Sequence, residues 1–499
     1  MSHVMKSAMV CRGSARTAIA RRALRFRSRT AGFVAVAAMA MATVGLARPA
    51  SAQIGEMFGG RATVLTNATV MTPDGPIENA NVVIRRGAIA SITTDEPQVR
   101  GRTQVVDASG LVITPGLIDV HGTLGLTGNG GGGPRNRASD AFDRYDTDAI
   151  ERAWRGGVTM VYIPARGGSI SGTGAVMKLG SSVQEVDAGN ALCIDLDSGA
   201  SSLARLGRVQ SIRQQFKQAI EYRESREIYA DEQLPEYEKK LAEQVEARKK
   251  KEAEEGADGE KKDSAALVAG DEDLQPTPRR RRGGRPGAPP AAGRGGGGGG
   301  GGEAEEARKP REPRANRAAD VLLRAIDREI PVRIVAHRSA DILNAIALGE
   351  EFGLRVVIEG GHEAGLVADA LAAADVSVVM GPAPTASPYG GPRFLRFDPH
   401  APAALAAAGV DTVIGSGVGG ATPYLLMNAQ LVASHAPSVN PLNAVTVDAA
   451  RFLGLPDHGA IRRGGAADLV LWSGDPHDPG SSVVAVMIDG RTVFGTLPE

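Results

Sequence analysis

From Ala62 onward the chain runs in short apolar segments of strand length, each broken by turn residues. Ala62–Met71, Ala80–Arg85 and Ala88–Thr93 are separated by Pro73-Asp74-Gly75 and Arg86-Gly87, so residues 62–114 read as β-strands joined by tight turns. The far end repeats this style in Asp468–Trp472, Val483–Ile488 and Thr492–Phe494, with Asp489-Gly490 as a turn. Neither piece can bury a face alone, so the two ends are expected to pair into one small β-sandwich. Between them, strands are expected near Val112–Asp119, Val158–Ile163, Ala175–Leu179, Ala191–Leu196, Val332–Ala336, Arg355–Glu359, Val376–Met380 and Thr412–Gly415. Helical runs such as Asp341–Glu351 and Ala364–Ala373 lie among them, and eight such alternations predict an α/β fold, a (β/α)8 TIM-type barrel.

One long segment breaks the alternation. From about Gln214 to Arg248 the sequence is charged and rich in helix formers, and Glu246 with Lys250 at i, i+4 suits a solvated helix. Arg279–Arg282, a Pro-rich stretch and an unbroken glycine run from Gly295 to Gly302 follow. Such a composition cannot bury apolar area, so residues 217–316 read as a charged, low-complexity and largely disordered insertion in a barrel loop. No aromatic residue interleaves the arginines, which argues against a nucleic-acid-binding tract.

Composition changes the picture at the N-terminus. Residues 1–55 contain no acidic side chain, carry Lys6 and eight arginines, continue into an apolar run from Ala31 to Ala47, and offer Ala50-Ser51-Ala52 before Gln53. Basic, apolar and small, in that order, describe a secretory signal peptide over residues 1–52, and hence an exported, periplasmic or extracellular protein. The apolar run is short for a membrane span, and no later segment reaches spanning length. Removing residues 1–52 leaves 48 basic against 57 acidic side chains, a net charge of −9 that does not suit a nucleic-acid partner. Of the two cysteines only Cys193 then remains, so no internal disulfide is available.

The chemistry-bearing motif is P-G-L-I-D-V-H at 115–121. It resembles the end of the first barrel strand in the amidohydrolase superfamily. G-G-S-I-S-G-T-G-A-V-M-K-L at 167–179, P-V-R-I-V-A-H-R-S-A-D-I at 331–342, G-L-R-V-V-I-E-G-G-H-E-A at 353–364 and the closing stretch 449–472 are similar to segments of its imidazolonepropionase-related branch, in the right order. The implied organisation is a β-sandwich part at 62–114, an amidohydrolase-like barrel at 115–448 and a return to the sandwich at 449–499.

The resemblance also implies a mechanism, in which a divalent, zinc-type ion at the barrel mouth activates a water against a carbon–nitrogen bond. His121 matches the first-strand ligand and His337 the fifth-strand ligand, while His362 falls about two residues late for the sixth-strand ligand, whose position is near Gly360. The second imidazole of the first-strand pair is absent. Strand alternation would turn residues 121 and 123 to the same face, but Thr123 offers only a hydroxyl. Gly417 stands where the strand-eight aspartate is expected, and Cys193 or Lys178 stands nearest to the bridging lysine. Asp195, Asp197, Cys193 and Glu359 are other side chains that would complete a different centre. His400, His435, His458 and His477 read as surface residues, and the glycines of 167–174 as a tight loop with room for an anion.

A catalytic zinc-type site needs about three protein ligands and an open position. The sequence therefore carries two function classes forward: a hydrolase of cyclic amides or peptide-like small molecules with a reduced or altered metal site, and a non-catalytic relative whose barrel mouth binds a ligand or partner.

Overall fold

The computed structural model describes residues 62–97, 102–126, 132–197, 202–259, 308–381, 398, 400–417 and 421–498. Residues 1–52, expected to be a signal peptide, and the arginine- and glycine-rich tract at 279–302 lie outside the described residues. Among the described residues, sixteen strands fall into two sheets of eight. The first holds β1 (Ala62–Thr72), β2 (Gly75–Arg85), β3 (Ala88–Thr93), β4 (Thr103–Asp107) and β5 (Val112–Pro115). The second holds β6 (Leu117–Asp119), β7 (Val158–Ile163), β8 (Ile170–Lys178), β9 (Gln184–Asp195), β10 (Val332–Ala336), β11 (Val356–Gly360), β12 (Ser377–Met380) and β13 (Thr412–Ile414). The chain then returns to the first sheet through β14 (Leu469–Trp472), β15 (Val483–Ile488) and β16 (Arg491–Gly495).

The two ends of the chain meet where β14 pairs antiparallel with β5. Leu65, Val70, Val82, Ile84, Ile113, Leu469, Leu471 and Met487 form one buried cluster there, drawn from both termini. The apolar run expected as one strand over 112–119 serves both sheets. Val112–Pro115 belongs to the terminal sheet and Leu117–Asp119 opens the barrel, with Gly116 as the pivot. A Cβ on Gly116 would stand 2.2 Å from Thr159 Oγ1, so the close crossing of the two sheets requires glycine.

The barrel sheet runs β6 to β13 in sequence order. It departs from an all-parallel barrel at one strand: β8 is antiparallel to both β7 and β9. The reason is chain length. Six residues separate β7 from β8 and five separate β8 from β9, too few for a helical crossover, so both connections are hairpins. The reversal brings the glycine loop before Ile170 to the end of the barrel where the parallel strands finish, and Asp195 N donates to Ser169 O there (3.0 Å).

The helix after β9 extends over Ser202–Ile228, passes through a π-turn at Tyr229–Gln233 and continues over Leu234–Gly259. Its first half is a barrel helix, because Val209, Ile212, Phe216 and Ala219 are buried in the same cluster as β9 and β10. The boundary expected at 217 therefore moves to about 223. Tyr222 Oη accepts from Asn316 N (3.1 Å), and Arg223 pairs with Asp327 (2.7 Å), so the departing and returning chains are tied together at a neck. Beyond the neck the helix is exposed, with Lys240–Glu236 and Arg248–Glu252 pairs along it. Among the described residues no helix is long and apolar enough to cross a membrane.

Candidate active site at the barrel mouth

β6 ends at Asp119, so strand alternation does not extend through residues 121–123. Gly122 N still donates to Tyr162 O (2.9 Å), but Thr123 already belongs to a turn closed by Leu126 N to Thr123 O (3.2 Å). Asp119 is fully buried and gathers the mouth. Its carboxylate accepts from His121 N (3.1 Å), Ser416 N (2.9 Å), Thr422 Oγ1 (2.9 Å) and Ser416 Oγ. Gly417 N donates to His121 O (2.7 Å). These bonds clasp the first and last barrel strands, and Gly417, where the resemblance led an aspartate to be expected, serves in them as a backbone donor. Gly417 lies at φ 69°, in the left-handed region where glycine is the least strained residue.

His121 Nδ1 stands 3.1 Å from Glu359 Oε2, and Glu359 Oε1 stands 2.5 Å from Arg333 Nε. Arg333 is 1% exposed, donates from Nη2 to Val120 O (2.6 Å), and lies 3.7 Å from the centroid of the Tyr162 ring. Burial works against the Glu359 carboxylate, but the Arg333 guanidinium and His121 outweigh it and hold the group at about 2. Glu359 is thus ionised at neutral pH. An ionised acceptor at Nδ1 assigns the Nδ1–H tautomer and leaves Nε2 as the basic nitrogen of His121.

His337 and His362 come together, as stacked imidazoles with centroids 4.2 Å apart and planes at 27°. Burial, reinforced by His121, lowers His337 to about 4, and burial with His337 lowers His362 to about 3, so both are neutral at pH 7. A Cβ on Gly360 would lie 2.0 Å from His337 Cε1. The His337 ring fills the space in which a strand-six side chain would begin, and Gly360 at φ 94° tolerates it.

The other expected participants are engaged elsewhere. Lys178 pairs with Asp489 (2.6 Å) and Asp468 (3.2 Å) at the opposite end of the barrel, where the reversed strand ends. Cys193 is buried beside Tyr162 Oη (3.3 Å), and burial, aided by Glu359, pushes its thiol up to about 11, so it is a thiol and not a thiolate nucleophile at neutral pH. Asp195 takes Arg208 Nη1 on its backbone carbonyl (3.1 Å), and Asp197 N donates to the Asp195 carboxylate (2.8 Å). His458 is not a surface residue: it is half-buried with Nδ1 2.9 Å from Asp468. His400 and His435 contact edge to face, and His477 lies beside Gln430.

Among the described residues no three His, Cys, Asp or Glu side chains are arranged to hold a metal ion. His121 and Glu359 are turned onto each other, Glu359 also meets Arg333, and the His337 and His362 rings are stacked. This donor set does not fit a zinc-type centre. Sequence reasoning missed Asp119, Tyr162, Arg333, Ser416 and Thr422. The available signal was a lone charge within apolar strands, in L-I-D-V and V-R-I-V-A.

An amidohydrolase from Thermotoga maritima MSB8 superposes with a TM-score of 0.63 at 24% identity, covering 87% of this chain and all of that one. The fold is that of the amidohydrolases. A β-aspartyl dipeptidase from Fervidobacterium islandicum AW-1 is a more distant structural neighbour, at 14% identity and TM-score 0.42 over 88% of this chain and 98% of its own. In sequence, the chain matches a dihydroorotase of Geobacillus kaustophilus at 28% identity over 100 residues, 20% of this chain, and so spans about a fifth (21%) of that relative's length. No family model matches the chain.

Proposed function

We propose that this protein is an exported hydrolase of carbon–nitrogen bonds, related to the imidazolonepropionase branch, that works on a cyclic amide or peptide-like small molecule with an altered centre. The observation that supports it is the His121–Glu359 pair at the mouth, with 3.1 Å between Nδ1 and Oε2. A carboxylate that fixes the imidazole tautomer leaves Nε2 free to take a proton from water, the general-base half of amide hydrolysis. His337 and His362 are neutral and cannot act as general acids near pH 7. The test is a panel of cyclic amides, N-acyl amino acids and dipeptides assayed with the purified protein and with His121→Ala. Turnover that falls by about 10²-fold or more in the variant is expected. Equal turnover in both would sink the assignment.

A second reading is a non-catalytic relative that binds a small molecule at the mouth. It is favoured by Gly417, which supplies a backbone N–H where the fold's relatives are expected to supply an acid. Saturable binding of a panel member without turnover, with His121→Ala weakening it, would select this reading.

A further inference from the structure

We propose that Arg333 is the resident cation of this barrel: its guanidinium balances and positions the His121–Glu359 pair, so that the centre assembles without a divalent ion. The inference rests on the site read above as catalytic, but not on catalysis itself.

Arg333 enters from near the start of β10, well below the mouth, yet its polar atoms act at the level of the last residues of β6 and β11. Nε meets Glu359 Oε1 at 2.5 Å, and Nη2 meets Val120 O, the carbonyl immediately before His121, at 2.6 Å. The guanidinium is packed over Tyr162 at 3.7 Å and near Phe452 at 5.6 Å, so aromatic faces hold the cation as well. Glu359 and Arg333 are 2% and 1% exposed. A buried carboxylate is tolerated only when a charge partner and hydrogen bonds compensate it. In this barrel that partner is covalently part of the chain.

The geometry also explains why Glu359 does not serve as a metal ligand. One of its oxygens is committed to His121 and the other to Arg333. A divalent ion seated on Glu359 would bring a second cation against a buried guanidinium that is part of the chain and cannot leave. Arg, rather than Lys, suits this role, because a planar fork contacts two acceptors and stacks on a ring at once.

The experiment is a thermal-unfolding series on the purified chain, with metal content measured alongside. For the wild type, dialysis against EDTA and addition of excess zinc or manganese should each leave Tm unchanged within about 1 °C, since a ligand that does not bind the folded state does not stabilise it. A stoichiometric divalent ion, or a Tm that drops on chelation, would overturn the proposal. Arg333→Met should lower Tm by on the order of 10 °C, and adding Glu359→Met should restore most of that loss, because replacing both members of a buried pair costs far less than orphaning one. If Arg333→Met fails to fold, the double variant and the wild-type chelation series still decide. An unchanged Tm in the single variant, or a double variant no better than the single one, counts against the assignment. Loss of hydrolysis on every panel substrate would end the catalytic reading and leave this one standing.

Discussion

At the scale of single residues the mouth is governed by buried charges rather than by its histidines. Asp119 receives four donors from two distant parts of the chain. Asp119→Ala strands these donors and should destabilise the protein by about 3 kcal/mol or more, measurable as a lower urea midpoint. Gly360 is the second sensitive position. Gly360→Ala meets the His337 ring within 2.0 Å and forces a side chain into φ 94°, so a loss of about 1–3 kcal/mol is expected, with a shifted His337 ring resonance in NMR. Gly360→His should not create a zinc site, because the ring already above it blocks the first atom of the new side chain. His121 and His337 were legible as mouth residues because they follow apolar strand runs. Glu359 was legible only as one of several candidates, and its pairing with His121 and Arg333 was not, because Arg333 and Glu359 are separated from His121 by more than 200 positions and nothing local connects them.

Elements show where chain length overrides pattern. The run over 175–179 reads correctly as a strand, yet its direction depends on connections of five and six residues, and those dictate hairpins. The reversal carries Lys178 to the far end, into a knot with Asp468, Asp489 and His458 that ties the barrel to the terminal sheet. Burial raises the Asp468 carboxyl, but His458 and Lys178 prevail and hold it below its ordinary value of 3.8. A folded pKa below the unfolded one adds stability that is full above pH 3.8 and fades as pH falls through the lower folded value. Wild type and Asp468→Asn should therefore differ most in Tm near neutral pH and converge in acid. The helix Ser202–Ile228 makes a parallel point, since its first half is core and its second half is solvated. Replacing residues 224–315 with a short Gly/Ser linker across the Tyr222–Asn316 neck should leave Tm within a few degrees of wild type, because loop length contributes little and those residues add no described core.

The molecule as a whole is closed by its two ends. Trp472 is 7% exposed, packs in the cluster shared with β6 and β7, and donates from Nε1 to Thr114 Oγ1 (2.9 Å). Deleting residues 464–499 removes one of the two partners of β5 and uncovers apolar side chains in both the terminal sheet and the barrel base. Loss of the cooperative transition, not a smaller one, is the expected result by calorimetry. A surviving barrel transition would show instead that the barrel folds independently.

The sequence by itself determined the elements and the fold, because apolar periodicity and turn residues act over a few positions, and the order of strands and helices leaves few topologies open. It also determined that positions 123, 360 and 417 carry no imidazole or carboxylate, since Thr123, Gly360 and Gly417 lack those atoms regardless of conformation. Only the tertiary structure decided what stands in their place: a backbone clasp at Gly417, a neighbouring ring above Gly360, and Arg333 paired with Glu359. Those choices depend on through-space contacts between strands far apart in the chain, and burial sets the charge of each group only once the barrel has closed around it.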